Sequence, residues 1–328
     1  MKRFVILIAV ALIIAGAYEW QAMNFTAPGP KPTQTTILIP PRIGVAGISG
    51  TLESAGIVQN GLLFRIGVTL RRESGALKAG EYAIPAHASM NDIATILMSG
   101  KSIQHRLTAA EGLTSNMIFT LVEKDTALEG AGYAPAEGTL LPETYLFTRG
   151  MTRAQMLARM RTAQQKIIDA LWPARANGSP LQNADQAIVL ASIVEKETAI
   201  PEERRHIAAV FLNRLKLGMK LQSDPTIIYG LTKGYPLGRP IRESEIAAVT
   251  PYNTYAITGL PAAPICNPGK DAIAAVLNPE QSADLYFVAN GTGGHVFAAT
   301  LAEHLKNVAK WRQLEHSPEK LSPHLREG

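Results

Sequence analysis

Hydrophobic and polar positions divide the chain into an apolar head, a short proline-rich stretch and a long body of alternating short elements. Lys2 and Arg3 precede an uninterrupted apolar run from Phe4 to Tyr18, and Glu19 and Trp20 follow it. A bilayer crossing needs about 20 apolar residues and a cleavable signal an apolar core of roughly 7 to 15, so the run falls between the two. Ala15-Gly16-Ala17 offers a cleavage site. Against cleavage, the run extends to Met23 if Glu19 snorkels, and Trp20 then sits at interfacial depth. The favoured reading is an uncleaved anchor over residues 1–23, its positive end cytoplasmic and the remainder exported. Residues 24–35, with Pro28, Pro30 and Pro32 around Gly29, read as an extended linker without chemistry.

The body begins with a strand at Thr36–Ile39, helical patterns near 49–59 and 61–73, and a strand near Glu81–Ile84. A helix then opens at Ser89 with Asp92 in its first turn and stops at Gly100, and a strand runs from Gln104 to Thr108. Together these predict a small α+β module over 36–108. From 109 to 316 the pattern is mostly helical. Ala184 to Glu197 is apolar on nearly every face and reads as a buried helix. Beyond it Pro201 is spaced as a first-turn proline, Glu202 and Glu203 suit the helix dipole, and Gly218 marks a stop. Two strands, Leu285–Ala289 and His295–Ala298, flank Asn290-Gly291-Thr292-Gly293-Gly294 and predict a C-terminal β-hairpin. A phosphate loop is the poorer reading of those glycines, since a strand follows them and no Lys-Ser/Thr ending is present. Thr300 and Glu303 have capping-box spacing, and residues 317–328 read as a loose tail. The fold class is α+β, with a larger, mostly helical second domain.

Composition narrows the function classes. With 46% hydrophobic and 18% charged residues the chain is a folded globular protein rather than a disordered one. The net charge of +5 is spread in ones and twos, which does not indicate nucleic acid. The single cysteine, Cys266, excludes an intramolecular disulfide and a Cys-rich zinc site, and its apolar, proline-rich surroundings make it a packing residue. There is no His-Glu-x-x-His helix and no Gly-x-Ser-x-Gly elbow, so neither a metal nor a cofactor is expected.

What remains unusual is a pair of carboxylates at the end of an apolar helix. On a helical wheel Glu195 shares a face with Ala184, Ile188 and Ala191, whereas Glu197 faces Leu190 and Ile193. A carboxyl on an apolar face near a helix C-terminus favours its protonated form, which suits a general acid for glycosidic bond cleavage. A solvated helix end, with Lys196 as counter-charge, fits the same residues, and geometry alone does not choose between the two glutamates.

The segment Ala191-Ser192-Ile193-Val194-Glu195-Lys196-Glu197-Thr198 resembles the active-site signature of the endolytic murein transglycosylases, the YceG-like family. Further blocks follow in the same order: Val210 to Leu215, Leu221-Gln222-Ser223-Asp224-Pro225-Thr226, Tyr252-Asn253-Thr254-Tyr255 with Gly259-Leu260-Pro261, Asn267-Pro268-Gly269, and Gly293-Gly294-His295. The likeness covers almost the whole chain. Glu143 and Ser223 are departures, at positions where relatives carry aspartate and threonine.

The resemblance implies a lytic transglycosylase that cleaves the link between N-acetylmuramic acid and N-acetylglucosamine and leaves 1,6-anhydro ends. It assigns the catalytic acid to Glu195 and a supporting role to Glu197. Arg214, Gln222, Asp224, Tyr252, Asn253 and Tyr255 become candidate substrate contacts, although Asp224, preceding Pro225, also suits a turn or cap, and the two tyrosines suit loop packing. Residues 36–108 resemble the family's LysM-like subdomain. The implied partners are peptidoglycan glycan strands, the inner membrane and glycan-polymerising synthases. A non-catalytic glycan-binding scaffold and a simple muramidase stand as alternatives.

Overall fold

The structure, a computed structural model, describes residues 2–315; the tail expected from 317 lies outside the described residues. The architecture is mixed α and β, dominated by helices, with small two-stranded sheets. The chain divides into two compact units, each with its own apolar core.

The first unit takes in residues 1–106 with the short returns 126–129 and 146–151. Helix α1 (Lys2–Thr26) has the length and apolarity of a membrane span. It continues past the expected start of the linker, and the reason is packing: Phe25, in its last turn, is buried and stacks on Phe64 at 6.2 Å. Strand β1 (Thr35–Ile39) follows, then α2 (Val45–Ser54), α3 (Gly61–Leu70), β2 (Gly80–Ile84) and α4 (Met90–Ser99). The two strands are antiparallel, with Ile37 opposite Tyr82. Ile37 and Ile39 are buried while Leu38 between them is exposed, the alternation that lets one sheet face join a core. That core is completed by Leu52, Phe64, Ile93 and Leu97. Helix α4 has the predicted cap, a reciprocal Ser89–Asp92 box, and ends on Gly100 at φ +68, a conformation that favours glycine. Helix α2 starts earlier than the pattern suggested, because Gly47 and Gly50 dilute its apolar spacing.

Strand β3 (His105–Thr108) pairs with β4 (Thr144–Phe147). The second unit comprises 107–125, 130–145 and the chain from 152 onward. Its helices are α5 (Ser115–Lys124), α6 (Arg153–Leu171), α7 (Ala184–Glu197), α8 (Arg204–Lys216), α9 (Asp224–Thr232), α10 (Glu243–Ala247), α11 (Lys270–Leu277) and α12 (Leu301–Glu315). Strands β5 (Tyr286–Ala289) and β6 (His295–Ala298) pair antiparallel with Phe287 opposite Phe297. Pro201 opens a 3-10 turn, Pro201–Glu203, that runs directly into α8.

Helix α7 is the axis of this unit. Every residue from Ala187 to Val194 is buried, packed against α8 and α11 through Leu190, Ile193, Ile207, Phe211, Ile273 and Val276. Fully burying one such side chain stabilises by about 1.5–3 kcal/mol, so the helix is fixed in position by its core rather than by its ends. Asn183 caps it by accepting from the Gln186 N–H. Cys266 packs beside it, buried, with its thiol donating to the Ser192 carbonyl at 3.3 Å. Two carboxylates emerge where this rigid element ends.

Candidate active site

Because successive helical residues are about 100° apart, Glu195 and Glu197 leave the last turn of α7 towards different surroundings. Glu195 is closed in. Its side chain is 4% exposed, Oε2 accepts from the Gly269 N–H at 2.8 Å, and Oε1 accepts from Arg204 Nη2 at 3.3 Å. The same Arg204 nitrogen donates to Glu111 Oε2 at 3.2 Å, and Asp271 lies 3.7 Å from the other. Burial raises the Glu195 carboxyl above its ordinary value; the Gly269 hydrogen bond opposes this, Glu111 and Asp271 reinforce it, and Arg204 pulls it down.

Glu197 instead lines a cavity of about 490 Å³, together with Arg214, Gln222, Asp224 and Tyr255. Its Oε1 accepts a hydrogen bond from the Ser223 hydroxyl. Burial pushes its carboxyl up to about 7; the Ser223 bond lowers it, the Asp224 charge raises it, and His295 and Arg214 lower it. His295 is itself held by Glu203, whose carboxylate accepts its backbone N–H at 2.8 Å and lies 2.7 Å from Nδ1. The group is therefore an acid poised between its charged and neutral forms near neutral pH.

Local folding explains how the other walls are set. Gln222 adopts a left-handed backbone, φ +54, uncommon for a residue with a side chain, and its N–H bonds the Thr254 carbonyl at 3.2 Å. The neighbouring Ser223 N–H bonds Thr254 Oγ1 at 2.9 Å, which fixes the loop that presents its hydroxyl to Glu197. Asp224 is the first residue of α9 and makes no capping bond; its Oδ1 accepts from the Tyr255 hydroxyl at 2.7 Å. Arg214 is buried and staples backbone, donating to the Leu285 carbonyl at 2.6 Å and the Leu221 carbonyl at 2.8 Å, with Gln222 Oε1 at 3.4 Å.

The structure thus gathers five of the predicted residues, Glu197, Arg214, Gln222, Asp224 and Tyr255, and leaves three outside this cavity. Glu195 faces Arg204 and Gly269. Asn253 is buried, and its amide donates to three carbonyls, Glu245, Ile246 and Ala248, a knot that shapes a loop rather than a group offered to a ligand. Tyr252 packs against Tyr229 with ring centres 4.9 Å apart.

Among the polar residues lining the cavity, one escaped sequence reasoning. His304 of α12 stacks on Tyr286 at 5.0 Å and lines the cavity with Val308, one helical turn on. Burial, and then the charge of Arg214, hold its imidazole below the ordinary histidine value, which favours the neutral form. The only sequence signal was its position four residues from Val308, on the same helix face.

A second buried carboxyl, Glu137, is also raised by burial, and it borders a larger cavity of about 620 Å³. Its oxygens are taken by the Ser115 N–H at 2.7 Å, Asn267 Nδ2 at 3.1 Å and the Tyr229 hydroxyl at 3.1 Å. Those bonds tie three segments together and leave the group committed to the scaffold. The smaller cavity carries the better constellation for chemistry.

The YceG-like family model matches residues 37–310. Over 94% of its length the chain is 30% identical to an endolytic murein transglycosylase of Streptococcus pneumoniae strain D39, of which it spans 65%. It is 27% identical to an endolytic murein transglycosylase of Bacillus subtilis strain 168, with 94% of this chain and 93% of that protein covered. A 2.6 Å crystal structure of a YceG-like protein from Listeria monocytogenes superposes with a TM-score of 0.52 at 28% identity, covering 83% of this chain and 98% of that one.

Proposed function

The chain belongs to the YceG-like family, and from that premise we propose that it is a membrane-anchored peptidoglycan lytic transglycosylase whose acid is Glu197. The observation that carries the assignment is the state of that side chain: a carboxyl raised to about 7, held by Ser223, in a cavity walled by Gln222, Asp224 and Tyr255. Glu195, expected from sequence to be the acid, is better read as the partner of Arg204 that secures the end of α7.

In this reading protonated Glu197 gives its proton to the oxygen bridging N-acetylmuramic acid and N-acetylglucosamine as that C–O bond breaks. Positive charge develops at the anomeric carbon, where the acetamido oxygen of the sugar can shelter it. Glu197, now a carboxylate, takes the proton of the muramic 6-hydroxyl as that oxygen bonds to the anomeric carbon. The 1,6-anhydro ring closes, the acid is restored and no water is consumed. A carboxyl near pH 7 suits both halves, since it is weak enough to carry the proton and basic enough to take one back. Gln222 and Tyr255 offer hydrogen-bonding groups to a sugar, and neutral His304 adds a flat face.

A second reading has one observation in its favour. Asp224 stands in the same cavity as Glu197, and a hydrolase uses two carboxyl groups, the second of them activating water or attacking the sugar. Product mass separates the two, because hydrolysis adds one water to each cut and transglycosylation adds none.

The remaining assignments follow the same reading. Helix α1 holds the protein in the inner membrane with its basic end cytoplasmic and the catalytic domain, residues 109–316, outside. Residues 36–108 form a LysM-like module, and nascent glycan strands made by neighbouring synthases are the natural substrate.

The test is digestion of purified sacculi by wild type, Glu197→Gln and Glu195→Gln, read by mass spectrometry. The expected result is anhydro-ended fragments from wild type, a loss of about 10²–10⁴-fold in Glu197→Gln, and substantial retention in Glu195→Gln. Undiminished cleavage by Glu197→Gln, with loss only in Glu195→Gln, returns the acid to the earlier residue. Binding without any cleavage by the wild type makes the protein a scaffold.

A further inference from the structure

The first unit has a helix face that its core does not use. On α3, Leu62, Ile66 and Leu70 are 53%, 37% and 56% exposed. Spaced four apart, they lie within about 80° of one another on the side opposite the buried Phe64 and Val68. An isolated exposed leucine means nothing, but three in line on a short helix form a stripe that a soluble surface has no reason to keep.

What sits next to that stripe identifies its occupant. Helix α3 packs against the end of α1, and the approach is close: a Cβ at Gly67 would collide with the Phe25 ring and the Gln21 side chain. Arg71, just past α3, lies 5.3 Å over the Phe25 ring, donates to Asn91 and pairs with Glu73 at 3.0 Å. Phe4 to Met23 at about 1.5 Å per residue is about 30 Å long, the thickness of a bilayer's hydrocarbon core. Gln21 and Phe25 therefore bracket the point where α1 leaves the hydrocarbon, and α3 is strapped to it at headgroup depth.

Charge agrees. From Gly61 to Arg72 the chain carries Arg65, Arg71 and Arg72, all exposed, and no acidic residue. Leucine and isoleucine on one face with arginine at its margins is the pattern of a helix lying in the interface of an anionic bilayer.

We propose that α3 docks on the membrane surface beside α1, with Leu62, Ile66 and Leu70 in the headgroup–acyl boundary and Arg65 and Arg72 among lipid phosphates. The first unit then meets the membrane at two points, a span and a surface helix. The proposal rests on α1 being a membrane anchor and is independent of the reaction.

The test uses the full chain in lipid nanodiscs, with an environment-sensitive fluorophore on Ile66→Cys or, separately, on Leu12→Cys within α1. The native Cys266 is buried, so labelling goes to the introduced thiol. Doxyl-labelled lipids are expected to quench the label at 66 about twofold in discs containing anionic lipid, and less in purely zwitterionic ones. Adding Leu62→Asp and Leu70→Asp should abolish that quenching while the label at 12 stays quenched. A label at 66 that ignores doxyl lipid while the one at 12 is quenched overturns the docking and leaves the anchor standing. If neither is quenched, the anchor falls and the docking with it. Shielding of position 66 from aqueous iodide without lipid quenching means that a second copy covers the face, which also overturns the proposal.

Discussion

At the scale of single residues, Glu197 links proton binding to folding and, in the proposed reaction, to chemistry. Its carboxyl is raised from 4.5 to about 7 in the folded protein, so the folded state holds a proton that the unfolded chain releases across that interval. The sign follows: relative to a neutral side chain there is no penalty below about pH 4.5, and stability is lost as pH rises through about 7. At about 1.4 kcal/mol per unit the loss approaches 3 to 4 kcal/mol. Urea unfolding of wild type and Glu197→Gln should give similar stabilities at pH 4.5, with the variant gaining up to about 3–4 kcal/mol on wild type by pH 8. A constant difference across that range would mean the carboxyl keeps its ordinary acidity and has no special proton to give. On the same grounds kcat/KM for glycan cleavage should fall about tenfold per pH unit above 7, as the protonated acid is depleted.

At the scale of elements, loops position what helices carry. Asn253 spends its amide on three carbonyls and its oxygen on the Tyr255 N–H, 2.9 Å away, so the 245–255 segment that presents Tyr255 to Asp224 is shaped by one side chain. Asn253→Ala removes the donor from those carbonyls, which lie on a partly exposed segment, and a loss of about 1–2 kcal/mol is expected in thermal or urea unfolding. With it should come a raised KM, as Tyr255 loses its register. Unchanged stability would show that the knot is incidental. The sequence disclosed α4 and α7 because local chemistry marks them: Ser89 and Gly100 in one case, a run of apolar residues from Ala184 in the other. It gave a linker starting at 24 because proline spacing is visible and the burial of Phe25 is not. Helical geometry left the choice between Glu195 and Glu197 open for the same reason, and only the resemblance assigned the acid to Glu195. A helical wheel assigns faces, whereas Arg204, Gly269 and Ser223, which decide what each carboxylate meets, arrive from other elements. Asn253 looked like a sugar contact because its amide is suited to one, and only its three carbonyl partners reveal that the amide is already used.

At the scale of the whole molecule, the two compact units divide the labour. The Glu197 cavity and the core beneath it are built entirely from the second unit, while the first keeps a separate core of Phe64, Tyr82, Ile93 and Leu97 beside the membrane-length helix. The cores share no residue, so a defect placed in one should remain local. Leu97 is fully buried, and Leu97→Ala removes three carbons from a close-packed interior, at a cost of about 2–5 kcal/mol. Amide hydrogen exchange followed by mass spectrometry should show faster exchange in α2, α3, α4 and the β1–β2 pair, with α7 and α8 protected as in wild type. Glycan cleavage per folded molecule should be unaltered at temperatures where both units are folded. Phe211→Ala, in the core under α7, should do the reverse, loosening the helix that carries Glu197 and depressing cleavage while the first unit stays protected. Were Leu97→Ala to speed exchange in α7 as much as in α4, the two cores would be one cooperative structure. The proposed acid would then depend on the packing of the first unit as directly as on that of its own.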